Sequence, residues 1–121
     1  MNANFETCVA FVNGGDSVSE RLTEQDIERR LAALPGWSLE DGKWLVKKAR
    51  FRSYLDGVDF VSRAARAAER LNHHPLIAID YKLVTLRLTS WRAGGITELD
   101  FEAAAAFDRE LPGEGGAESA E

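Results

Sequence analysis

At three places ahead of a helical apolar period a hydroxyl side chain is followed three positions later by an aspartate: Thr23/Asp26, Ser53/Asp56 and Thr97/Asp100. Such a pair opens a helix. The hydroxyl accepts from a backbone N–H of the first turn, and the acid faces the positive end of the helix dipole. Apolar residues stand at the staple positions of the first and last pairs, Leu22 with Ile27 and Ile96 with Phe101. Three helix starts therefore punctuate the chain, and the segments between them must be assigned around those starts.

Ile27, Leu31 and Leu34 share one helical face, and Pro35-Gly36 stops the first helix. Trp37 to Glu40 and Lys43 to Phe51 read as two strands joined by the Asp41-Gly42 turn. Ser53 opens the longest helix. Val58, Val61, Ala65 and Ala68 form its apolar stripe, and Phe60, Ala64, Ala67 and Leu71 widen it. Its alanines permit close packing on a sheet. Pro75 bars helix through His74. Ile77, Ile79 and Tyr81, then Val84, Leu86 and Leu88, alternate with less apolar positions, giving two antiparallel strands around a tight turn near Lys82. Tyr81 is read there as a hairpin core residue. After the Ala93-Gly94-Gly95 loop the third pair opens a last helix through about Glu110. The order α-β-β-α-β-β-α predicts an α+β two-layer domain, with a four-stranded antiparallel sheet covered by helices on one face.

The 121 residues amount to one domain, expected over residues 19–111, after a flexible N-terminal extension at 1–18 and before a disordered tail at 112–121 rich in Gly, Glu, Ala and Ser. Asn13-Gly14-Gly15-Asp16-Ser17-Val18 can be encoded as a purine-rich GGAGGTGAT run followed closely by GTG, the arrangement of a bacterial ribosome-binding site and start codon. The expectation is a natural start at Val18, with residues 1–17 a mis-called upstream extension. An ordinary flexible N-terminus is the alternative. A composition of 45% hydrophobic and 29% charged residues reads as soluble and globular. The net charge of −5 argues against a nucleic-acid surface. Arg63, Arg66 and Arg70 recur at helical spacing, but with Asp59 and Glu69 beside them they read as a solvated face. The single Cys8 excludes an internal disulfide and a cysteine-based zinc site. With neither a membrane-length apolar run nor a signal-peptide pattern, the expected location is cytoplasmic, with no membrane partner.

The chemistry concentrates in Glu69-Arg70-Leu71-Asn72-His73-His74-Pro75, where both histidines of the chain stand side by side at a helix end. Histidine titrates nearest neutral pH, so two neighbouring imidazoles can serve together as proton donor and acceptor. Glu69 can reach His73 if the helix persists that far. The plainer reading is that His73 only caps the last helical carbonyls. A metal site is disfavoured, because no cysteine accompanies the pair and adjacent side chains diverge on extended backbone.

Glu69, His73-His74-Pro75, Tyr81, Trp91 and Asp100 together resemble the motif of the pterin-4a-carbinolamine dehydratases, also known as the dimerisation cofactor of a homeodomain transcription factor. Similarity runs from about Leu22 to about Leu111 and includes Pro35-Gly36-Trp37 and Ala93-Gly94-Gly95. The resemblance implies dehydration of 4a-hydroxytetrahydrobiopterin to quinonoid dihydropterin in tetrahydropterin recycling, with no metal or other cofactor. It implies His74 as main acid, His73 as its partner or as the acid for the other substrate face, Glu69 tuning or orienting His73, and Asp100 as a further catalytic residue. Pterin contacts then fall on Asn72, His73 and His74 and on Thr89, Ser90, Trp91 and Arg92, two segments expected to face each other. Many members carry a third histidine where this chain has Trp91; an indole cannot shuttle protons, but it can stack on a flat bicycle and donate its N–H. Plainer readings make Trp91 a partly buried hairpin anchor and Asp100 a helix-capping residue. The resemblance also implies a homodimer or homotetramer and an aromatic amino acid hydroxylase as partner.

A second class of function stays open on the same fold: a non-enzymatic protein-binding module, partner-stabilising or assembly-chaperone in role, as in the Rubisco assembly factors that resemble this family. The presence of the His-His pair favours the enzyme. A pterin site serving another pathway, such as molybdopterin metabolism, is a weaker third possibility.

Overall fold

A computed structural model describes residues 20–112 and 117–118 of the chain. The extension expected at 1–18, and with it the proposed start at Val18, lies outside those residues. Helix α1 spans Glu24–Leu31, strand β1 Trp37–Glu40, β2 Trp44–Phe51, α2 Tyr54–Leu71, β3 Leu76–Asp80, β4 Leu83–Leu88, α3 Glu98–Arg109, and β5 Ala117–Glu118. The order α-β-β-α-β-β-α holds through α3, and the four main strands form an antiparallel sheet in the order β1-β2-β4-β3. Within the segment read as a disordered tail, β5 pairs with Arg50 and Phe51 of β2. No helix among the described residues is long and apolar enough to cross a membrane.

Each helix starts where its hydroxyl residue stands. Thr23 and Ser53 accept from the backbone N–H groups of Asp26 and Asp56, both at 3.1 Å. Only the third pair closes in both directions: Thr97 Oγ1 accepts from Leu99 N, while Asp100 accepts from the Thr97 N–H at 2.8 Å. The first helix ends sooner than its apolar period suggests. Leu31 is its last residue, and Leu34 donates back to Leu31 in a tighter turn before Pro35.

Two hairpins build the sheet. Asp41 and Gly42 both take positive φ, and Lys43 N donates to Glu40 O at 3.1 Å, the backbone twist that a two-strand turn favours. In the second hairpin Asp80 pairs with Leu83, leaving Tyr81 and Lys82 as the loop. Tyr81 has φ 54° and is 66% exposed, so it is a turn residue and not part of the core. Counting its aromatic ring as a strand position carries the period one step too far.

Leu45, Ala49 and Phe51 on β2, with Val84, Leu86 and Leu88 on β4, form the buried face against the helices. Phe51 stacks on Phe60 of α2 with ring centroids 5.3 Å apart. A Cβ at Gly57 would come within 3.3 Å of Val84, so the missing side chain lets α2 approach the sheet closely. The inward stripe of α2 is Gly57, Phe60, Ala64, Ala67 and Ala68. That shifts the expected stripe: Ala68 is buried as expected but Ala65 is exposed, and Phe60, Ala64 and Ala67 from the widening set carry the packing with it. Arg63 of α2 donates to the Glu110 carbonyl at the end of α3 at 3.1 and 3.2 Å, joining the helices by a cation at a helix C-terminus. Arg63 thus does structural work beyond solvating a face, while Arg66 is exposed.

Candidate active site

The site begins where α2 stops. Asn72 takes the left-handed conformation (φ 54°, ψ 42°), which asparagine tolerates better than most residues. The His73 N–H returns to Ala68 O at 3.1 Å, and the Asn72 N–H to Glu69 O at 3.2 Å. These bonds satisfy the last carbonyls and turn the chain out of the helix, so the two imidazoles leave in different directions.

His73 turns toward the start of α3. Its Nε2 lies 2.5 Å from Asp100 Oδ1, and its side chain is only 13% exposed. Asp100 is completely buried. Its Oδ2 accepts from Ser90 Oγ at 2.8 Å and from the Thr97 N–H at 2.8 Å, and Thr97 Oγ1 lies 2.8 Å from Ser90 Oγ. Donors converge on both oxygens, which suits an acceptor-only carboxylate. His73 then donates through Nε2 and keeps Nδ1 as its remaining exchange position.

His74 takes the opposite course. Its Nε2 lies 2.7 Å from Glu69 Oε2, and the two side chains are 54% and 77% exposed. Glu69 therefore partners His74, and the expectation that it orients His73 is corrected. The left-handed turn at Asn72 breaks the helical spacing on which that pairing relied, and Asp100 takes the place beside His73.

Asp100 joins the two segments expected to face each other, since it touches His73 on one side and Ser90 on the other. Its helix-capping role and its contact with His73 coexist. Thr89 is buried, whereas Arg92 is exposed. Trp91 is 74% exposed, so it is no buried hairpin anchor. It sits in a tight loop closed by Ser90 N to Gly95 O at 3.0 Å and Gly94 N to Ser90 O at 3.0 Å. Its ring meets that of Trp44 edge to face, centroids 5.3 Å apart at 84°.

Thr97 and Trp44 are the two residues here that sequence reasoning left out of the site. On sequence alone Thr97 is only a cap. Trp44 carried a signal in the strand alternation, because Leu45 faces the helices and its neighbour must face away from them. Among the described residues no group of three or more His, Cys, Asp or Glu side chains is arranged to hold a metal ion.

Residues 20–110 match the sequence pattern of the family described as Pterin 4 alpha carbinolamine dehydratase. A relative from Picosynechococcus sp., provisionally named a pterin-4-alpha-carbinolamine dehydratase, is 38% identical over 76% of this chain and 99% of its own length. A relative of the same provisional name from Chloroflexus aggregans is 43% identical over 75% of this chain and 97% of its own. The crystal structure of a transcriptional coactivator/pterin dehydratase from Brucella melitensis superposes with a TM-score of 0.73 at 32% identity, covering 77% of this chain and 100% of that one.

Proposed function

The chain belongs to the pterin-4a-carbinolamine dehydratase family, and from that premise we propose that it dehydrates 4a-hydroxytetrahydrobiopterin to quinonoid dihydropterin and water. The observation that carries this reading is the division of labour between adjacent imidazoles, each held at Nε2 by a different carboxylate.

The reaction asks for two proton transfers. The N5 lone pair expels the 4a-hydroxyl, which leaves as water only if an acid protonates it as the C–O bond breaks. A base then accepts a proton from the ring nitrogen, so one proton enters and one leaves. His74, open to solvent, is the acid that meets the hydroxyl, with Glu69 fixing its ring. His73 is the base, its imidazolium stabilised by Asp100. Asn72, Thr89, Ser90 and Arg92 line the pterin's approach, and Trp91 offers its indole face to the bicycle. Chemistry of this kind draws on side chains alone.

The test is stopped-flow dehydration of synthetic 4a-carbinolamine, with wild type and His74→Ala compared. A wild-type rate no higher than the uncatalysed one overturns the proposal.

The outer edge of β3 favours self-association as well: Leu76 is 58% exposed on a strand whose second edge is unpaired among the described residues. We extend the proposal to a homodimer or homotetramer. A monomeric mass by sedimentation at micromolar concentration would contradict it.

A further inference from the structure

We propose that Trp44 is a positioning residue for the substrate: it pre-orients the Trp91 indole, and so sets affinity for a flat bicyclic ring. This rests on the reading that Trp91 stacks on the pterin.

Trp91 is the most exposed large apolar side chain among the described residues. Its backbone is firmly held in the Ser90–Gly95 loop, and Ser90 reaches the His73 network through Asp100. A side chain so exposed would keep several rotamers, and ordering it on substrate binding would weaken affinity. Trp44 supplies the restraint. It opens β2, paired to Glu40 on β1, and the next residue, Leu45, is paired to Leu88 on β4. Its backbone is thus fixed at the hairpin end of an inner strand.

The strand position of Trp44 adjoins an ion pair. Arg87 donates to both carboxylate oxygens of Glu40, at 2.8 and 3.3 Å. Glu40 lies opposite Trp44 on one side of β2, and Arg87 opposite Val46 on the other. The ion pair therefore crosses β2 between Trp44 and Val46 on the face without helices. Trp44 thus shares this face with the neighbouring bridge, and its ring meets that of Trp91. The platform is braced from the first hairpin, whereas the histidines stand between α2 and the second.

The experiment uses the full chain as wild type, Trp44→Ala, Trp44→Phe and Trp91→Ala. The interacting indoles should give an exciton couplet in far-ultraviolet circular dichroism that is absent from all three variants. Binding of unsubstituted pterin and the KM for the 4a-carbinolamine should weaken about three- to tenfold in Trp44→Ala, the size of one aromatic pair. The kcat and its pH profile should stay in place, and Trp44→Phe should recover most of the affinity because its ring restores an edge contact. A Trp44→Ala variant that is folded, lacks the couplet, and yet matches wild type in pterin affinity and KM overturns the inference alone. A wild type that neither binds pterin nor turns over the carbinolamine overturns both this inference and the reading beneath it.

Discussion

His73 and His74 are neighbours in the chain, yet the first lies in the helix layer against a buried carboxylate and the second stands half in solvent against an exposed one. The inner half of the site, His73 with Asp100, Ser90 and Thr97, is made of groups that also hold α3 in place. The outer half, His74 with Glu69, hangs on a helix end and makes no other side-chain hydrogen bond among the described residues. Identical side chains can thus be committed to different duties by one left-handed residue between them and the helix. Damage to the inner half should show first as lost stability, and damage to the outer half as lost rate.

The largest effect expected is on rate. His74→Ala should lower kcat by about 10²- to 10⁴-fold, the usual worth of a positioned general acid. Its melting temperature should barely move, because substitutions at exposed sites usually stay within about 0.5 kcal/mol. Stopped-flow kinetics and thermal unfolding check the two parts, and a large loss of stability would break the division. With no third histidine at Trp91, this loss should exceed that of the matching substitution in a relative that has one.

Asp100→Ala comes next. It strands the Thr97 N–H, the Ser90 hydroxyl and His73 Nε2 in a buried place, and should destabilise by about 3 kcal/mol in denaturant unfolding. A stability unchanged by this substitution would mean that the network does not hold α3. Glu69→Gln should be milder. It keeps a hydrogen-bonding group near His74 without the charge, and should lower kcat about three- to tenfold, as for one hydrogen bond. An equal effect of Glu69→Gln in a His74→Ala background would show that Glu69 does not act through His74.

The smallest effect lies away from the site. Arg30 and Glu98 pair through two bonds of 2.6 Å, and the guanidinium holds the Glu98 carboxyl below its ordinary range. Both side chains are well exposed, so the pair should contribute less than about 1 kcal/mol. With the folded value depressed, the contribution is complete above the unfolded carboxylate's range and is lost as pH falls through the folded value. Wild type and Glu98→Gln should therefore differ most near neutrality and converge in acid. Divergence in acid would reverse the sign.

The fold was legible because its signals were local. Helix caps, the Asp-Gly turn and Pro75 act within a few residues, and all stand where their chemistry requires. Tyr81 failed for the same reason, since alternation alone does not say where a strand ends. The site was legible as a set of residues and illegible as a set of contacts. Thr23/Asp26, Ser53/Asp56 and Thr97/Asp100 are alike on paper, yet only the last aspartate also meets a histidine 27 positions away. Glu69 pairs with His74 because one residue, Asn72, leaves helical geometry. Sequence spacing assumes the periodicity that this residue interrupts.

Asp100 is both the reciprocal cap of α3 and the anchor of His73. Fraying of the first turn of α3, which needs less free energy than global unfolding, would release the imidazole as well. On heating, activity should therefore fade ahead of the main unfolding transition, and amide hydrogens of that turn should exchange in step with the lost rate. One carboxylate makes the site report on the docking of its own helix.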